Sequence, residues 1–80
     1  MQGAVRVEVD EDRFKSLIGN AFEYLSEEEI FLQSSVIPVV TDDILGCYLM
    51  KEGILYLGTN EEDEVLEDFE ERFDLDLDWL

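Results

Sequence analysis

Two apolar runs, ILGCYLM at 44–50 and ILYLGT at 54–59, lie on either side of Lys51, Glu52 and Gly53 and constrain the fold more than any other part of the chain. Runs of this length are strands, and a short connection with a glycine suited to positive φ predicts an antiparallel hairpin. Successive side chains of a strand point to opposite faces, so strands that are apolar at neighbouring positions have apolar side chains on both faces. The hairpin therefore belongs in the middle of a sheet, covered by helices or by another subunit.

The flanking segments supply further strands and the helices. Val5, Val7 and Val9 alternate with Arg6 and Glu8, which is the period of a half-buried strand over residues 4–9. The period then changes to that of a helix. Phe14, Leu17, Ile18, Ala21, Phe22 and Leu25 recur at spacings of three and one, a pattern that only a helix gathers onto one face. Asp10 or Asp12 is placed to cap it. Ser26 with Glu29 reads as a second start signal, for a short helix to about Gln33. In SSVIPVV, Pro38 has no N–H for a ladder, so this stretch is an edge strand or an extended connector. Thr59 or Asn60 is placed to cap a last helix, with Thr59 and Glu62 in capping-box register and a stripe of Val65, Leu66, Phe69 and Phe73.

The sequence ends in FDLDLDWL at 73–80. As a strand it would set Phe73, Leu75, Leu77 and Trp79 on one face and Asp74, Asp76 and Asp78 on the other, a row of charge at steps of roughly 6.6–6.8 Å. The expectation is one α+β domain over residues 1–80. Its small single sheet has three to four strands, including the central hairpin, packed by two main helices in the order β-α-(α)-β-β-β-α-tail.

Charge decides what such a domain can meet. There are 22 Asp and Glu against five Lys and Arg, no His, and a net charge of -17. A small domain is soluble with a net charge of magnitude about 2–8, so solubility does not require this surplus. Nor is it evenly spread, as a general adaptation to salt would be. Between Glu61 and Asp78 stand eleven acids and one base, Arg72. On the last helix the acids are neighbours at spacings of three and four, each pair costing about 0.2–0.5 kcal/mol at low salt, and only Asp68 with Arg72 compensates. Such a surface avoids nucleic acid and anionic membrane and is drawn to basic proteins.

Other chemistries find little support. Without His, a nucleophile beside a base, a glycine-rich phosphate loop or a cysteine cluster, the chain is not expected to be an enzyme or to hold a cofactor. Asp74, Asp76 and Asp78 lack the glycine and the twelfth-position Glu of a calcium loop, so no metal site is expected. The lone Cys47 fits a reducing compartment, and the start MQGAVRVEVD has no secretory pattern, so the expected location is the cytoplasm.

What remains is recognition through carboxylates. Duplex DNA carries one charge per about 1.7 Å, and its binding proteins oppose Lys and Arg to it. Carboxylates on a firm scaffold would occupy the same basic groove. The expected function is a small acidic inhibitor, of the kind phages and mobile elements encode, that imitates nucleic-acid charge at the DNA- or RNA-binding site of a CRISPR, restriction or repair protein. The alternative is an antitoxin, immunity protein or other acidic adaptor, with Trp79, Tyr24, Tyr48 or Tyr56 as anchor. The partner-binding residues expected are Glu61, Glu62, Glu64, Glu67, Asp68, Glu70, Glu71, Asp74, Asp76 and Asp78, extended by Glu27, Glu28 and Glu29. A homodimer through the sheet or the first helix would cover the apolar hairpin.

Overall fold

The computed structural model describes residues 3–20 and 35–80. Five strands form one antiparallel sheet: β1 (Ala4–Glu8), β2 (Val36–Val40), β3 (Ile44–Leu49), β4 (Ile54–Thr59) and β5 (Asp78–Trp79), in the spatial order β2-β3-β4-β1-β5. Two helices are described, α1 (Glu11–Asn20) after β1 and α2 (Glu64–Phe73) after β4. The architecture is α+β with a single sheet, and it has one strand beyond the three to four expected because Asp78 and Trp79 pair with β1. Ser26, Glu27, Glu28, Glu29, Tyr24 and the short helix over 26–33 lie outside the described residues.

The hairpin forms as its sequence requires. Leu49 pairs with Ile54, and Gly53 closes the turn at φ 68° with its N–H donating to the Leu49 carbonyl at 2.8 Å. Its own carbonyl accepts from Val9 N–H, tying the turn to the end of β1. Pro38 sits in edge strand β2 opposite Cys47. Ladder bonds at Ser35 and Thr41 show that odd-numbered residues face β3, so the nitrogen of Pro38 points away from the sheet and no ladder bond is lost.

Register sorts the side chains into two layers. Val5, Val7, Ile37, Val39, Ile44, Tyr48, Leu55, Leu57 and Thr59 share the inner face and are all buried. Phe14, Leu17 and Ile18 of α1 and Leu66 and Phe69 of α2 complete the core on that side. Tyr48 stacks on Phe14 with centroids 3.9 Å apart and donates its hydroxyl to Val9 O at 2.7 Å. Burial, with Asp10 and Glu11 nearby, raises the Tyr48 pKa above the ordinary tyrosine value. Tyr48 is therefore a core residue, which removes it from the aromatic anchors considered from sequence.

Caps explain where the helices begin. Asp10 caps α1 as expected, its Oδ1 accepting from Arg13 N–H at 2.8 Å. The cap of α2 differs from expectation. Thr59 ends β4, where its hydroxyl donates to Asp43 O at 2.7 Å and accepts from Glu61 N–H at 3.0 Å, so it closes a turn. Asp63 takes the cap position, and Val65, Leu66 and Glu67 donate back to the carbonyls of Glu62 and Asp63. Among the described residues no helix is long and apolar enough to cross a membrane.

Candidate functional site

Helix α2 is the centre of the acidic surface because its apolar stripe commits its other side to solvent. Leu66 and Phe69 are buried and Val65 and Phe73 half-buried, which leaves Glu64, Glu67, Asp68 and Glu71 exposed. At 100° per residue these four fall within an arc of about 100° on the side away from the sheet. From Glu64 to Glu71 the helix rises about 10.5 Å, so the four carboxylates are spaced on average about 3.5 Å apart along the axis, close to the about 3.4 Å per charge of one DNA strand. Among the described residues the ion pairs are Arg6 with Asp78 and Lys15 with Glu11, and neither involves α2.

The compensation expected between Asp68 and Arg72 is not made. The Arg72 guanidinium instead lies over the Phe73 ring, 5.4 Å from its centroid. Among the described residues no direct ion pair relieves the repulsion along the stripe.

The tail corrects the simple strand reading of FDLDLDWL. Phe73 is the last residue of α2, packed 4.8 Å from Phe69 between ring centroids. Asp74 follows in the left-handed conformation, φ 54° and ψ 52°, and Leu75 N–H returns to Glu70 O at 3.0 Å. This is a Schellman-type end, in which glycine is the least strained residue and Asp is tolerated. Residues 75–77 have no regular structure, and only Asp78 and Trp79 join the sheet. Alternation survives in part: Leu75 is half-buried and Leu77 buried, while Asp76 and Asp78 are exposed and Trp79 is 41% exposed. The regular three-carboxylate row is broken, because Asp74 belongs to the helix end and not to a strand.

Two of the expected residues have structural partners. Glu70 is half-buried, and its Oε2 accepts from Leu77 N–H at 2.9 Å, fastening the tail to α2. Asp78 lies 4.0 Å from Arg6 on the outer side of the sheet, apart from the α2 stripe, and shares a groove with Arg6, Glu8 and Asp76. Arg13 fixes α2 from the other helix, its guanidinium donating to the carbonyls of Phe73 and Asp74. Such donors satisfy carbonyls at a helix end and complement its dipole.

The surface also gains two acids that sequence reasoning passed over. Asp42 and Asp43, in the turn between β2 and β3, border a groove with Asp68 and Arg72, floored by Ile44, Val65, Phe69 and Phe73. Thr41 Oγ1 accepts from Asp43 N–H and Ile44 N–H and holds this turn. The only sequence signal was the TDD triplet between two strands. Glu61 and Glu62 lie exposed in the loop before α2, at the same end of the sheet as Asp42 and Asp43. Among the described residues no cluster of Asp, Glu or Cys is arranged to hold a metal ion.

No family model matches the sequence, and no curated protein or solved structure matches it.

Proposed function

We propose that this protein is a non-enzymatic inhibitor that presents carboxylates to the nucleic-acid-binding site of a basic protein, acting in the cytoplasm of a cell infected or colonised by the element encoding it. The observation that carries the reading is the α2 stripe, in which Glu64, Glu67, Asp68 and Glu71 are exposed and unneutralised on a helix pinned at its end by Arg13. Asp74 strengthens it, since a carboxylate stands where glycine would strain the backbone less.

Asp42, Asp43 and Asp68 outnumber Arg72 around an apolar floor and suit the long side chains of a partner's Arg or Lys, whose stems pack on apolar surface while their heads reach carboxylates. Glu61 and Glu62 extend the anionic face. Docking of this kind is fast and salt-sensitive, and requires no base reading.

Trp79, 41% exposed beside the acidic tail, favours a second reading, an antitoxin or immunity protein with an aromatic anchor in its partner. Capture of partners from a host lysate separates the two. A mimic's partner is released by excess duplex DNA or by moderate salt, and Glu67→Lys with Glu71→Lys abolishes its capture while Trp79→Ala does not. Retention of the partner against both DNA and salt, with loss on Trp79→Ala, refutes mimicry in favour of the anchored complex.

A further inference from the structure

The side of the sheet away from the helices is apolar. Pairing places Val36, Leu49 and Ile54 in one row, Pro38, Cys47 and Tyr56 in the next, and Val40, Leu45, Gly58 and Ala4 in the third. Among the described residues its strand rows carry Arg6, Glu8 and Asp78, and Asp76 borders the same groove, a net of -2 on a chain of net -17.

Val36, Val40, Leu45 and Leu80 are 49%, 44%, 67% and 71% exposed, and all four belong to this side. Leu80 joins the third row through its N–H to Ala4 O at 3.0 Å. We infer that this face is the interface of a symmetric homodimer, two copies packing sheet on sheet.

Three observations select a second copy as the occupant. The third row has its own complement: Leu45 and Leu80 stand on either side of the small residues Gly58 and Ala4, over a recess that Val40 borders and that the acids Asp42, Asp43 and Glu61 rim at the end of the sheet. A two-fold axis sets a projection of one copy into the recess of the other, as a self-complementary patch requires. Charge bears on it too, because strands β2, β3 and β4 put no charged side chain on this face, so two such acidic chains repel less here than across α2, and face-to-face packing holds the two α2 helices farthest apart.

The edges are poor alternatives. Pro38 turns a position without an N–H outward on β2, and β5 is two residues long. The 24 strand residues, each covering about 3.4 Å along a strand and about 4.8 Å across it, give a flat footprint of roughly 400 Å² per copy. With side-chain relief, two copies bury close to the about 1,000 Å² at which specific interfaces begin.

Light scattering on the full chain over a range of concentrations, at physiological and raised salt, tests this. Wild type is expected at twice the mass of one chain, with tighter association as salt screens the repulsion. Leu45→Glu, at an exposed position, is expected to halve the mass while the circular dichroism spectrum and melt stay those of a folded chain. Glu71→Lys, on the opposite layer, is expected to leave the doubled mass intact.

Cys47 gives an independent readout at the centre of the face. Its alkylation by a maleimide should slow several-fold as wild type is concentrated and stay constant in Leu45→Glu. A single-chain mass for wild type at every concentration, or a doubled mass surviving in Leu45→Glu, overturns the homodimer and assigns the face to another partner or to solvent.

Discussion

If the α2 stripe is retained at a cost to the fold, relieving it should stabilise the protein. Glu71 is exposed, in the last turn of the helix, with Glu67 four residues and Asp68 three residues before it. Glu71→Lys turns two repulsions of about 0.2–0.5 kcal/mol each into attractions of similar size, a change of about 0.8–2 kcal/mol. Exchanging an acid for a base at the negative end of the helix adds about 0.3–1 kcal/mol, for a total of about 1–3 kcal/mol. Urea unfolding at low salt should show the midpoint rising by about 1–3 M, for a slope of about 1 kcal/mol per M. Glu71→Gln, which only removes repulsion, should give about half the pairwise gain. Near 1 M salt the screening length is about 3 Å, and most of the difference should vanish. Equal stability of wild type and Glu71→Lys at low salt, or a gain that ignores salt, refutes the premise that the stripe repels itself.

Tyr48→Phe keeps the stack on Phe14 but strands the buried Val9 carbonyl, and should cost about 1–3 kcal/mol in chemical denaturation. Because the folded-state pKa of Tyr48 is raised, its contribution is whole below the ordinary tyrosine pKa and is lost as pH climbs through the folded value. That alkaline loss, followed by tyrosinate absorbance alongside circular dichroism, should be reduced in Tyr48→Phe. Gly46→Ala should prevent β3 and β4 from pairing, since its Cβ would collide with the backbone oxygen of Tyr56, and a folded spectrum at ambient temperature would contradict this. Glu70→Gln weakens the acceptor for Leu77 N–H and should speed hydrogen exchange at that amide, with the amides of β3 unchanged.

What the sequence made legible was local. The hairpin, Gly53 at its turn, the Asp10 cap and the alternation of β1 follow from turn chemistry and period within a few residues. The tail was misread because Phe73 satisfies two periods at once: it stands four after Phe69, as a helix needs, and two before Leu75, as a strand needs. Where one period hands over to the other depends on the Asp74 dihedrals and the Glu70 bond to Leu77, which no spacing reveals. Thr59 likewise has the chemistry of a helix cap, but the register of β4 brings its hydroxyl to Asp43 first. The placing of Asp42 and Asp43 beside Asp68 is a product of topology.

The strand order carries a kinetic consequence. β2, β3 and β4 are neighbours both in sequence and in the sheet, whereas β1, made first, must wait for β4 on one side and for Asp78 and Trp79 on the other. Closing so long a loop is slow, and on the ribosome the earliest strand emerges with both backbone edges unmatched. In that interval the mutual repulsion of nascent chains hinders them from pairing with one another.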